Sequence, residues 1–220
     1  MQQGSEEWLQ ARCGMITASN FHRAMTDPKT KKDKDAGVLS QTASTFLDEV
    51  VAEMDSGVPI AHGATVAMKW GSEHEAYAKP LAIEKLREEF GRGDFIEAAG
   101  ANAFCVHPDH PGFGCSPDFL VGDDALGEIK CPFNSGRHVT AACSTAAWFL
   151  KEHKWQIVGN LWITGRTQYY VCSYNPRSTR PMSMATIQRD DKLIMQLETR
   201  LLVFREKVLD RLAQFQNREF

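Results

Sequence analysis

The feature that most limits the fold lies mid-chain, where helical spacing of apolar residues gives way to two short extended runs joined by a turn. Residues 115–121 and 125–131 read as strands, and Gly122-Asp123-Asp124 between them has the composition of a tight hairpin. With those three residues as the loop, Val121 pairs with Ala125, and counting back along both strands sets Asp118 opposite Glu128. Directly opposed residues have Cβ atoms about 5 Å apart, close enough for two carboxylates to share one divalent ion. Alternation puts Glu128 and Lys130 on one face of their strand and Ile129 on the other. One residue more or less in the loop would break this pairing.

The rest of the chain is largely helical in pattern. Residues 5–12 form a short helix capped by Ser5, with Trp8 and Leu9 turned inward. Thr17-Ala18-Ser19 opens a second, carrying Phe21 and Met25. Residues 27–37 are a charged loop, and Phe46, Leu47, Val50, Val51 and Met54 recur at helical spacing within 40–54. A longer helix covers 65–90, with Pro80 as a kink or break. Strands are expected at 103–106, 168–174 and 182–188, and helices at 145–162 and 191–215. No internal repeat or low-complexity linker interrupts the pattern. Helices around a small central sheet define an α/β (α+β) class, and 220 residues suit one domain, 1–220.

Composition narrows the function. Hydrophobic content of 43% and charged content of 24% are those of a soluble globular protein. There is no apolar run near the roughly 20 residues of a membrane span, and no basic-then-apolar leader, so neither a membrane partner nor secretion is expected. The six scattered cysteines (13, 105, 115, 131, 143, 172) form no C-x-x-C pair and read as reduced, cytoplasmic residues. A net charge of −3 counts against a purely electrostatic DNA binder. A carboxylate cluster that holds metal lowers the total, however, and a local basic surface is enough for binding. Lys29, Lys31, Lys32 and Lys34 offer one, though the same stretch reads equally well as a solvated loop.

Two carboxylates and a main-chain carbonyl are hard oxygen ligands suited to Mg²⁺, which keeps several waters and binds substrate phosphate. A lysine beside such an ion can position water and donate to a phosphoryl oxygen. On spacing alone, Asp118, Asp123, Asp124, Glu128 and Lys130 could simply solvate an exposed hairpin. The apolar setting of Leu126-Gly127-Glu128-Ile129-Lys130-Cys131-Pro132 weighs against that. A zinc module built on Cys105, His107, His110 and Cys115 is the non-enzymatic alternative, but their interleaved order lacks the paired spacing of structural zinc sites.

Cys115-Ser116-Pro117-Asp118, with Glu128-Ile129-Lys130-Cys131-Pro132-Phe133, resembles the active-site signature of the phage lambda exonuclease family. These are phage and prophage recombination nucleases of the PD-(D/E)XK, restriction-endonuclease-like superfamily. The resemblance begins at Trp8 and continues through Arg12-x-Gly14-x-Ile16-Thr17-Ala18-Ser19 and Trp70-Gly71 with Glu75. It then takes in Gln156, Trp162-Ile163-Thr164, Tyr174-x-Pro176-Arg177 and Arg189-Asp190. It implies a restriction-endonuclease-like core, a small central mixed β-sheet flanked by helices. It also implies an Mg²⁺-dependent exonuclease, holding two ions with Mn²⁺ as the substitute. Such an enzyme degrades one strand of duplex DNA from a 5′ end, releases mononucleotides and leaves a 3′ tail for strand annealing. A ring-shaped homotrimer, a single-strand annealing partner and the cytoplasm of a bacterial host come with it.

Residue by residue, the resemblance makes Asp118, Glu128 and the carbonyl of Ile129 metal ligands and Lys130 the catalytic lysine, with Glu75 ordering the attacking water. Arg12, Thr17, Ser19, Ser116 and Gln156 would line a pocket for the terminal 5′ phosphate, with Trp8 against the end nucleotides. Read without the resemblance, Glu75 is an exposed helical carboxylate, Thr17 and Ser19 are caps, and Trp8 is core packing. Val38 and Leu39 are candidates for a strand-separating wedge. Val158 and Gly159 stand where relatives often carry a polar residue and an aromatic. Other readings are an endonuclease, a repair nuclease with an iron–sulfur cluster, which scattered cysteines disfavour, and a non-catalytic DNA clamp.

Overall fold

The computed structural model describes residues 1–61, 63, 65–144 and 146–218. The N-terminal part is helical: α1 (Glu6–Arg12), a two-residue β1 (Ile16–Thr17), a 3-10 turn (Ala18–Asn20), α2 (Phe21–Ala24), α3 (Lys31–Asp35), α4 (Gln41–Ser56) and α5 (Val66–Phe90). The strands β2 (Phe95–Glu97), β3 (Cys105–Val106), β4 (Phe113–Cys115), β5 (Phe119–Val121) and β6 (Ala125–Lys130) follow. Then come α6 (Ser135–Ser144), α7 (Ala146–Thr164), β7 (Gln168–Tyr174), β8 (Met182–Gln188) and α8 (Asp191–Gln216).

Local chemistry sets most of these boundaries. Ser5, Ser40 and Thr65 each accept a main-chain N–H of the first turn they precede, satisfying donors that would otherwise be orphaned. Gly57 and Gly91 close α4 and α5 in left-handed conformations, at φ 67° and 64°. Pro80 does not break α5, which runs through it as one helix. The proline sits on the exposed side, where water can meet the carbonyl its missing N–H leaves unpaired. The charged stretch 27–37, expected as a loop, holds α3, capped by Thr30. Leu9, expected to face inward, is 44% exposed. Thr145, the expected start of α7, lies outside the described residues.

The sheets are mixed. Five strands run in the order β2-β5-β6-β7-β8, antiparallel except for the parallel β6–β7 pair, and three short strands form β1-β4-β3. The 115–121 run is therefore not one strand: β4 and β5 belong to different sheets and separate at Ser116-Pro117-Asp118. Pro117 explains the break, since it supplies no ladder donor and fixes φ.

One apolar cluster packs α2, α4, α7 and α8 with Tyr169, Val171 and Ile187 of one sheet face. A second packs Ala78, Ala82 and Leu86 of α5 against Phe119, Ile129, Tyr170 and Cys172 of the other. The sheet is thus covered on both faces, and the ends of β5 and β6 are left facing a cleft.

Candidate active site

The hairpin register is the one that loop length requires. Phe119 pairs with Gly127, Leu120 with Leu126 and Val121 with Ala125. Asp118 lies one step beyond the ladder; its N–H donates to the Gly127 carbonyl at 3.0 Å. Its carboxylate Oδ2 in turn accepts the Ile129 N–H at 2.6 Å, which fixes the acid beside β6. Gly127 permits this approach, because a Cβ there would collide with the Phe119 ring.

Asp118 and Glu128 are each only 7% exposed. Glu128 Oε1 accepts from Lys130 Nζ at 2.6 Å and from Gln156 Nε2 at 2.8 Å; Oε2 accepts the Tyr169 hydroxyl at 3.3 Å. Lys130 also donates to Gln156 Oε1 at 3.2 Å. Burial, reinforced by the charges of Glu128 and Glu75, pushes the Asp118 carboxyl well above the usual carboxylate range. Burial works to lower Lys130, but Glu128 and Asp118 outweigh it and hold the ammonium above its ordinary value. The cleft of about 440 Å³ is lined by Glu75, Asp118, Glu128, Ile129, Lys130 and His153, among others. Burial takes His153 down to about 4, so this ring is neutral at physiological pH.

This donor set fits a hard divalent cation. Buried like charges are tolerated when paired or metal-bound, and here Lys130 pairs with Glu128 while Asp118 accepts the Ile129 N–H. Among the described residues no three His, Cys, Asp or Glu side chains form a ready-made cage. Two carboxylates with a neighbouring main-chain carbonyl is a ligand count suited to Mg²⁺, which retains waters. The residues of the zinc reading have other partners. His107 Nδ1 accepts the N–H groups of Asp109 and His110, and His110 faces Glu198 at 3.4 Å.

A second hollow adjoins the cleft, with Met68 lining both. Arg12 donates to Ser116 Oγ at 3.1 Å and to Thr17 Oγ1 and Ser19 Oγ at 3.4 Å each. Its guanidinium lies 4.0 Å over the Trp8 ring. Burial lowers Arg12 to about 10, still charged at neutral pH. Trp8 Nε1 donates to the same Ser116 Oγ at 3.0 Å. That oxygen therefore accepts two bonds, and its own proton is left for a third group.

The structure thus brings Trp8, Arg12, Thr17, Ser19 and Ser116 together, and Asp118, Glu128, Ile129, Lys130 and Glu75 around the cleft. Gln156 sits with the second set, on Glu128 and Lys130, and not on Arg12. Val38 and Leu39 line grooves with Lys207 that share no residue with the cleft. Sequence reasoning missed Tyr169, whose hydroxyl reaches Glu128; its regular place in a β7 alternation carried no chemical signal.

Buried carboxylates and a lysine on a mixed sheet flanked by helices define a restriction-endonuclease-like fold. The chain belongs to the YqaJ-like viral recombinase domain family, whose model matches residues 7–167. An alkaline exonuclease (LHK-Exo) from Laribacter hongkongensis is similar, at 28% identity and TM-score 0.77, over 96% of each chain. The same enzyme in complex with dAMP aligns equally well. A phage-related exonuclease from Haemophilus somnus 129PT shares the fold at 18% identity and TM-score 0.69, over 91% of this chain and 96% of that one. No protein in the curated set matches the sequence.

Proposed function

We propose that the chain is an Mg²⁺-dependent exonuclease that degrades one strand of duplex DNA from its 5′ end, releases 5′-mononucleotides and leaves a 3′ single strand for annealing. The observation that carries this reading is the adjacency of two hollows, one rich in carboxylates and one built on Arg12. A terminal phosphate held on Arg12 would place the next phosphodiester over Asp118 and Glu128.

Asp118, Glu128 and the Ile129 carbonyl would hold the metal, which when bound lowers the pKa of water and offsets charge on the attacked phosphate. Lys130, braced by Glu128 and Gln156, presents an ammonium that needs no reorganisation to meet a phosphoryl oxygen. Glu75 orders the attacking water from the α5 side. Arg12 supplies a planar fork for two phosphate oxygens, and the Ser116 hydroxyl, with its proton unspent, donates to the same group. The LHK-Exo complex with dAMP supports a nucleotide-sized product.

A homotrimeric ring, a single-strand annealing partner and a bacterial cytoplasm complete this proposed reading. The test is digestion of linear and covalently closed circular duplex by wild type, Asp118→Ala and Glu128→Ala in Mg²⁺. Wild type should consume only the linear form and both variants should be inactive while remaining folded. Cleavage of the closed circle would make it an endonuclease, and an active variant would displace the metal site.

A further inference from the structure

The Tyr174-x-Pro176-Arg177 motif takes no part in the cleavage geometry, yet it lies beside the cleft. The Arg177 guanidinium sits 4.2 Å over the Trp70 ring and 5.4 Å over Phe133. Trp70 stacks on His74 with centroids 3.7 Å apart and planes at 21°, and Phe133 meets Trp70 edge-on at 5.5 Å. The Trp70 Nε1 is buried without an acceptor, so stacking and not hydrogen bonding fixes this ring. Phe133 is 45% exposed, and Arg177 is exposed too. Among the described residues Arg177 has no ion-pair partner. Its charge faces solvent and ring faces alone.

The assembly is rigidly braced. Asn175, 0% exposed, donates from Nδ2 to the Pro132 carbonyl at 3.0 Å, and its Oδ1 accepts the Arg177 N–H at 3.0 Å. One buried amide therefore ties the Phe133 segment to the Arg177 loop. From α6, buried His138 bonds Ser173 Oγ and the Arg180 carbonyl, each at 2.9 Å. The platform is continuous with the cleft: Phe133 follows Lys130 by three residues, and Gly71, Ser72 and Glu75 line the cleft on the helix that carries Trp70.

We propose that Arg177, Phe133 and Trp70 form a stacking subsite for unpaired DNA bases at the rim of the cleft. Bases stack on guanidinium planes and aromatic faces regardless of sequence, and an unneutralised arginine beside them also suits the strand's phosphates. The inference rests on the exonuclease reading only for the source of the strand, which is the duplex opened at the cleft.

The test is fluorescence anisotropy of a fluorescein-labelled oligothymidine with the full chain in EDTA, set beside a blunt duplex. Arg177→Ala and Phe133→Ala should each weaken single-strand binding about tenfold, as loss of one stacked base does, with melting unchanged. Arg177→Lys, which keeps the charge but not the plane, should remain weakened, and duplex binding should change far less. Wild-type affinity in either alanine variant would overturn the subsite. So would full rescue by lysine, or equal losses on both substrates. A wild-type chain that ignores the oligonucleotide but self-associates through Phe133 would overturn it in favour of a protein interface. Because binding is read without cleavage, failure of the nuclease reading, seen as undigested linear duplex, leaves this result interpretable.

Discussion

At the scale of single residues, the site is organised by shared acceptors. Glu128 Oε1 takes both Lys130 and Gln156, and Ser116 Oγ takes both Arg12 and Trp8. Each arrangement fixes a cation on one shared oxygen. Lys130→Ala should keep metal binding, because lysine is no ligand, and lower turnover by on the order of 10², the usual loss for a preorganised electrostatic donor. Calorimetric titration of Mg²⁺ beside a rate assay separates the two; normal turnover would return Lys130 to a structural ion pair with Glu128. Arg12→Ala should act on ends. Wild type should digest 5′-phosphorylated duplex faster than the 5′-hydroxyl form, and the variant should lose most of that preference. Matched substrates differing only in the end group measure it, and a retained preference would move the phosphate pocket elsewhere.

At the scale of elements, approach distance decides which side chains meet. Gly159 on α7 faces the 3-10 turn that carries Ser19. A Cβ there would come within 2.5 Å of the Phe21 ring and 3.2 Å of Ala18 Cβ. The small residue lets α7 close on the turn. Gly159→Ala should therefore cost about 1–3 kcal/mol through overpacking, read from urea denaturation. An unchanged midpoint would mean Phe21 yields freely. A kink at His153 (φ −129°, ψ 20°) interrupts the same helix three residues before Gln156.

These features mark the limit of what was legible in the sequence. The hairpin register could be counted because alternation and turn composition are local. It holds from Val121↔Ala125 to Phe119↔Gly127, and Asp118, counted opposite Glu128, falls one step beyond the ladder and bonds to Gly127 and Ile129. β7, β8 and α8 were legible for the same reason. α6 was not, since Ser135–Ser144 is built mostly of small and polar residues and buries only His138 and Ala141. β2 has one half-buried residue among three and is held by pairing with β5, a long-range fact. Gln156 meets Lys130 three residues after the α7 kink, a long-range contact that no local pattern announces.

At the scale of the whole molecule, a net charge of −3 and a carboxylate-rich cleft leave little general attraction for duplex DNA. Capture of ends must then come from Arg12, the arginines around the cleft, or encirclement. No helix among the described residues is long and apolar enough to cross a membrane. The proposed ring makes a separate claim: light scattering of the purified chain should give three times 24.6 kDa, and a monomer would remove encirclement from the argument. The central claim, one-strand degradation from 5′ ends, is tested most directly by digesting linear duplex labelled at either the 5′ or the 3′ end, with and without Mg²⁺. The 5′ label should be released at once as a mononucleotide, the 3′ label late, and neither without the metal. Early release of the 3′ label, or of 5′-labelled oligonucleotides, would contradict that claim.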